Sequence, residues 1–375
     1  MKLPLFKIYW DKKDVNNVNN KIKSGKYWCT GKENEILEKK ISEYLDIPYC
    51  VTLNSGGSAL HALMIAHNIS QGDEVIVPSF TFIATAYSPL YTGARPIFVD
   101  IEEKQLGLDP EAVMEAITPK TKAILPIHYG GIPCKIDQLR EIADDHNIIL
   151  IEDAAEAFGA KHKGKMIGTI GNSSIFSFCQ NKIFTTSEGG CIVTHNKKIY
   201  EKIKQITSYG RISKGNYFTT TKGIDYLSVG YNWRMSSILA TLGISQLEKV
   251  DKLISMRRKV ATIFNEKINK IDGISQIKIP EELFTVYQMY SIILENEKTR
   301  DNLIEFLNKN KISSKIYFDP ANKYSLFKEL GLNNLDLPVT YKIASKILTI
   351  PFYPNMENNE INYLMNTLTK FTEEY

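Results

Sequence analysis

The sequence predicts an α/β protein, with a large domain built on a mostly parallel, mixed sheet flanked by helices and a small C-terminal α+β domain. Three observations predict it. Short apolar segments alternate with helical ones through the first half of the chain, this alternation stops after residue 248, and 375 residues at roughly 150 per domain leave room for one large and one small unit.

The elements follow in order. Residues 34–45 (NEILEKKISEYL) carry apolar side chains at helical spacing, and YCVTLNSGG reads as a short strand ending in a glycine turn. Helices are expected at 58–67, 110–116 and 136–145, and strands at 74–77, 97–99, 123–127 and 148–151. Strands without long flanking polar alternation belong to a sheet covered on both faces. Two more strands, 174–178 and 190–194, follow without an obvious helix between them, so one is expected to be antiparallel. The polar, glycine-containing segment 208–225 is too long for a connector and is a candidate cover for a site. A helix is expected at 236–246 and a long charged one at 249–268, which puts the domain division at residues 1–255 and 256–375.

Composition narrows the class of function. The chain is 43% hydrophobic and 23% charged, and 46 Lys+Arg against 42 Asp+Glu leave a net charge of +4 spread over mixed clusters. Neither nucleic acid nor an anionic membrane is required as a partner. Five cysteines without a C-x-x-C pair fit neither a disulfide framework nor a zinc site, and no metal is expected. With no signal-peptide core and no run of roughly 18 apolar residues, the expected location is the cytoplasm.

In an open parallel sheet ligands gather at the carboxyl ends of the strands. After the first strand, Asn54-Ser55-Gly56-Gly57-Ser58 offers backbone that a ligand can approach and the free N–H groups of a helix start; the same serines also serve as ordinary helix caps. After the second comes Phe82, an aromatic ring at the same edge that core packing would equally explain. The strand at 148–151 delivers Glu152 and Asp153 to its end, with Glu156 close behind; a salt bridge or helix cap is the plainer account of each. Lys182 follows Phe176-Ser177-Phe178 and precedes another apolar segment, and a lysine desolvated in that way becomes an amine nucleophile and base. A phosphate cup, an aromatic plate, an acid and an amine together suit pyridoxal 5'-phosphate (PLP). Asp153 would keep the ring nitrogen protonated, and Lys182 would hold the cofactor's carbonyl carbon and shuttle the substrate proton.

Several motifs in order resemble the DegT/DnrJ/EryC1/StrS sugar aminotransferases. They are Ser55 to Leu60, Gly72 to Phe82, Ile151 to Gly159, Phe176 through Lys182 to Gly190, and Gly230-Tyr231-Asn232-Trp233-Arg234-Met235. The resemblance implies PLP fold type I with a seven-stranded-type sheet, Lys182 as Schiff-base lysine and Asp153 on the ring nitrogen. It also implies Phe82 on the ring face, Gly57, Ser58 and Ser177 on the phosphate, and Glu156 near the ring hydroxyl. A homodimer with sites shared across the interface is implied as well, in which Asn232 touches the partner's cofactor phosphate and Arg234 lies near the shared site.

The implied reaction is transfer of an amino group from L-glutamate to a nucleotide-linked keto-deoxysugar, a 4-keto-6-deoxy sugar first among them, for surface polysaccharide or glycan synthesis. Three positions depart from the family pattern. Gly57 replaces a hydroxyl residue, Ser187 stands at a frequent glycine position, and Lys315-Ile316-Tyr317-Phe318 replaces a His-Tyr pair that shapes the sugar pocket, with Tyr317 kept as a substrate candidate. Two rival readings remain, a 3-dehydratase-like lyase, which would carry histidine in place of the lysine, and a non-catalytic regulatory protein on the same fold. Lys182 opposes the first, and Asp153, Lys182 and Phe82 together oppose the second.

Overall fold

The computed structural model describes residues 1–212, 220–221 and 223–374, with Ile212 described by its backbone alone. Much of the 208–225 segment, expected to cover a site, therefore lies outside the described residues.

Seven strands form the central sheet: β1 (Tyr49–Leu53), β2 (Glu74–Pro78), β3 (Arg95–Val99), β4 (Thr121–Ile124), β5 (Ile149–Asp153), β6 (Ser173–Ser177) and β7 (Gly190–Thr194). Their order is β1-β7-β6-β5-β4-β2-β3. Every neighbouring pair from β6 to β3 is parallel, and β7 runs antiparallel to both β6 and β1. This is the mixed sheet the sequence predicts, with the antiparallel addition at 190–194.

Strand periodicity divides the core into two layers. Ile76, Ile124, Leu150, Phe176 and Val193 pack on one face, under α2 (Lys32–Leu45), α5 (Pro110–Ala116), α6 (Ile136–Asp145) and α8 (Ser237–Leu247). Their neighbours Val75, Val77, Ala123, Ile151, Ile175 and Ile192 pack on the other, under α3 (Gly56–Ala66), α4 (Ile83–Leu90) and α7 (Lys197–Ile206). Because successive side chains point to opposite faces, strands apolar throughout require helices on both sides. Each such buried Ile, Leu or Val contributes about 1.5–3 kcal/mol.

An additional helix, α1 (Lys12–Lys23), starts at a capping box in which Asp11 and Asp14 accept from each other's backbone N–H groups. Its Asn-rich sequence hides the apolar stripe of Val15, Val18 and Ile22. Helix α9 (Val250–Ile268) runs unbroken through position 256. Its Val250, Leu253 and Ile254 join the large-sheet core, and its Val260, Phe264 and Ile268 join a second core built on an antiparallel sheet. That sheet comprises β8 (Ile274–Gln276), β9 (Tyr290–Leu294) and β10 (Ile347–Ile350) in the order β8-β9-β10. The chain's first residues join the second core too, since Leu3 bridges Ile312 and the Leu5 carbonyl accepts from the Phe352 amide. Among the described residues no helix is long and apolar enough to cross a membrane.

Candidate active site

The site is assembled at the carboxyl ends of β1, β2, β5 and β6. Strand β5 extends two residues beyond the expected end, so Glu152 and Asp153 lie within the strand and point to opposite faces. Glu152 accepts from the amides of Gly168, Ile170 and Gly171 at 2.9, 2.8 and 2.6 Å, from Ser174 Oγ, and from His128 Nε2 at 3.2 Å. Burial would raise this carboxyl, but His128 and the amides outweigh it and hold it below its ordinary value. Glu152 therefore pairs with His128, the salt bridge of the plainer reading, and also ties down the 168–171 loop.

Asp153 points to the α4 face. Its Oδ2 accepts from Thr85 Oγ1 at 2.8 Å and its Oδ1 from the Ala155 amide at 3.1 Å. Here burial dominates and raises the carboxyl, against Thr85, the Ala155 amide and the charge of Lys182. A cation placed against Asp153 would relieve that cost.

Lys182 leaves the turn after β6 with its side chain 13% exposed, and its Nζ donates to Glu156 Oε1 at 3.2 Å. Glu156 Oε2 accepts from the Gly130 amide at 3.0 Å. Burial raises the Tyr317 phenol, and the charges of Glu156 and Cys179 raise it further. The Tyr317 carbonyl is held by Tyr129 Oη at 2.7 Å.

The start of α3 forms the cup. Ser55 caps the helix by accepting from the Ser58 amide at 3.0 Å, and Ser58 Oγ donates to Asn54 Oδ1 at 2.7 Å. Ser55 thus performs the capping role, while Ser58 supplies the capped amide and a hydroxyl bonded to the Asn54 side chain. A Cβ at Gly56 would lie 3.0 Å from Ser177 Cβ, whereas one at Gly57 would meet only Ser55 Oγ, at 3.9 Å. Ser177 is therefore pressed against the helix start while Gly57 faces open space, where first-turn amides lack intrahelical partners. Gly190 makes this packing possible, because its Cβ would lie 2.8 Å from both the Gly56 nitrogen and the Phe176 carbonyl oxygen. Phe82 occupies the N-cap position of α4 and is 59% exposed, with its ring centroid 6.4 Å from that of Phe318. Its ring belongs to the site more than to the core.

Asn232 and Arg234 behave differently. Their segment lies against the end of β1, where the Asn54 amide donates to the Trp233 carbonyl at 2.9 Å and Arg234 bridges Leu53. Arg234 Nη1 donates to Ser208 Oγ at 3.3 Å, and its guanidinium sits 5.6 Å from the Tyr209 ring centroid. Asn232 is exposed. Arg234 lines an open groove of ≈ 1760 Å³ whose lining, among the described residues, includes neither Lys182 nor Asp153. Within one chain the structure brings Asp153, Glu156 and Lys182 together, sets Ser177 against the start of α3, and leaves the Asn232–Arg234 segment against the end of β1.

Sequence reasoning missed the roles of Gly190, Tyr129 and Thr85. Thr85 stands three residues after Phe82, on the same side of a helical turn, but Pro89 disguises that helix.

Residues 9–369 match the DegT/DnrJ/EryC1/StrS aminotransferase family. The chain belongs to this family. Among family relatives, the GDP-perosamine synthase of Escherichia coli O157:H7 is 34% identical over 98% of both chains. That of Vibrio cholerae is 33% identical over 98% of this chain and 99% of its own. The sugar aminotransferase Spr1654 of Streptococcus pneumoniae in its PLP form superposes with a TM-score of 0.93 at 26% identity, covering 100% of this chain and 99% of that one. Its PMP form gives 0.94 at 25% identity, with 100% of both chains covered. The fold is PLP fold type I, and this family member is a PLP-dependent sugar aminotransferase.

The residues present fit the cofactor. Asp153 is a buried carboxylate with no ion pair among the described residues, Phe82 is an exposed ring at the start of the helix that carries Thr85, Gly57 leaves open space at a helix start, and Lys182 supplies the amine.

Proposed function

We propose that the enzyme transfers an amino group from L-glutamate to a nucleotide-linked 4-keto-6-deoxy sugar used in a surface polysaccharide or glycan. The balance is closed, because glutamate leaves as 2-oxoglutarate and the ketone becomes an amine. When bound, PLP supplies the electron sink for this exchange. The observation that carries the reading is the Lys182–Glu156 pair at 3.2 Å at the strand ends, with Asp153 buried behind it. Lys182 Nζ would hold the cofactor by its carbonyl carbon and, as a base, would take and return the proton at the substrate carbon. Asp153 would hold the ring N–H, Phe82 would cover the ring face, and Gly57, Ser58 and Ser177 would hold the phosphate. Glu156 would serve the ring hydroxyl and Tyr317 the sugar side.

The same reading makes residues 1–255 the cofactor domain and 256–375 the small domain, in a cytoplasmic homodimer. Asn232 then reaches the partner's cofactor phosphate, with Arg234 close to the shared site. Support for this comes from the exposed Asn232 and from Tyr209, Tyr226, Leu227 and Val229, large apolar side chains left exposed on the same stretch of chain. The relatives named GDP-perosamine synthase support a nucleotide-linked deoxysugar.

The test is a panel of GDP-, UDP- and dTDP-linked keto-deoxysugars with purified holoenzyme and glutamate, read as release of 2-oxoglutarate. Turnover is expected with at least one 4-keto-6-deoxy member. A panel in which no sugar consumes glutamate contradicts the proposal.

A further inference from the structure

Asp153 Oδ2 has one side-chain donor, the Thr85 hydroxyl at 2.8 Å. A hydroxyl carries a single proton, so Thr85 gives that proton to Asp153 and its own oxygen is free to accept. It accepts from Thr81 Oγ1, also at 2.8 Å. The direction is therefore fixed as Thr81 to Thr85 to Asp153. All three side chains are buried, with Thr81 and Thr85 2% and 1% exposed, so water does not substitute for either hydroxyl.

The placement of Thr85 matters as much as its bond. It lies in the first turn of α4, whose N-cap is Phe82, and its amide donates to the Phe82 carbonyl at 3.1 Å. One helical turn thus carries both the aromatic plate and the clamp on the acid. The Ala155 amide fixes the other carboxylate oxygen, so two donors on separate elements set the plane of the group. Each oxygen keeps a further lone pair for an incoming N–H.

We propose that Thr85, backed by Thr81, is a positioning residue that holds Asp153 as an oriented carboxylate for the cofactor's ring nitrogen. This rests on the assignment of Asp153 to that nitrogen. Two other charged groups face Asp153: Lys182, from the turn after β6, favours its ionised form, and Glu156, from the turn after β5, opposes it. Thr85 adds a neutral donor that favours the carboxylate at every pH where the fold persists.

The test uses the Thr85→Val, Thr85→Ser and Thr81→Val enzymes and measures PLP affinity by titration, its pH profile, and kcat and KM. Losing a hydrogen bond to a charged group weakens PLP binding about tenfold in Thr85→Val. The acid limb of its affinity profile moves to higher pH, because the carboxyl becomes harder to ionise. kcat falls while KM for the amino donor changes little, and Thr85→Ser restores affinity to within about threefold. Thr81→Val, which touches Asp153 only through Thr85, shows a smaller loss in the same direction and keeps the test open if Thr85→Val does not fold. Wild-type affinity and an unmoved acid limb in Thr85→Val, or in Thr81→Val where only that protein folds, overturn the proposal. Asp153→Asn is the control: if it binds PLP with wild-type affinity and pH profile, the assignment of Asp153 itself fails.

Discussion

Lys182 Nζ stands 3.2 Å from Glu156 Oε1, and the other oxygen of Glu156 is tied to the Gly130 amide at 3.0 Å. The acid thus connects the turn after β6 to the turn after β4, two stretches of chain that Gln288 also bridges through the Asn181 and Gly130 carbonyls. It holds the lysine at the mouth of the sheet, with both side chains 13% exposed. A lysine kept there by a carboxylate differs from the solvated lysines of the helix surfaces.

Phe82 separates the site from the core. Because its ring is 59% exposed, Phe82→Ala should change the unfolding free energy of the apoprotein by about 0.5 kcal/mol or less. Loss of a stacked aromatic partner, about 0.5–1.5 kcal/mol, should weaken PLP binding roughly threefold to tenfold. Denaturant unfolding and PLP titration of the same preparation check both halves.

Gly190 is a packing requirement of the phosphate cup. A Cβ there would lie 2.8 Å from the Gly56 nitrogen, the Ser55 carbonyl carbon and the Phe176 oxygen, all of them backbone atoms. Gly190→Ala should therefore cost about 1–3 kcal/mol of stability and displace the start of α3 from Ser177. Gly57→Ala, whose Cβ would meet only Ser55 Oγ at 3.9 Å, should fold with nearly wild-type stability and keep PLP binding. Urea unfolding and PLP titration of the two variants test the contrast.

His67 gives the fold a defined acid sensitivity. Burial lowers its pKa to about 4, helped by the charge of Lys202, and its Nε2 lies 3.0 Å from Ser173 Oγ. Between its ordinary value of 6.5 and about 4 the unfolded chain binds a proton that the folded chain does not, so stability falls as pH falls through that window. The contribution lost reaches at most about 3 kcal/mol. Unfolding free energies measured from pH 7 to 4 should show this decline, and His67→Gln should flatten it.

The alternation of strands and helices was legible because each central strand is apolar on both faces, and the helices 110–116 and 136–145 lie where the periodicity puts them. Glu152 and Asp153 were harder to read as strand, since two adjacent acids signal a loop unless each has its own buried donors on opposite faces. Helix α1 escaped notice because Asn-rich sequence weakens the helical signal and only the Asp11–Asp14 capping box declares it. In the site, Asp153, Glu156, Ser177 and Lys182 were visible because each lies at or just beyond the carboxyl end of a strand. Thr85 was not, as it acts through another residue and sits in a helix whose sequence, IATAYSPL, is short, apolar and contains proline. Gly190 was invisible for another reason, because its role depends on how closely β7 approaches α3. Ser187, expected to alter only a local turn, adopts a left-handed φ of 73°, the conformation in which glycine is unstrained.

The central claim is that Lys182 is the amine to which PLP attaches. The direct measurement is the absorbance of purified enzyme incubated with PLP, followed by borohydride treatment and peptide mass analysis. A visible-edge band should form, disappear on reduction, and leave the cofactor's mass on the peptide containing Lys182; Lys182→Ala should show neither band nor adduct. A wild-type protein that takes up no PLP, or a Lys182→Ala protein that keeps a borohydride-fixed adduct, would contradict it.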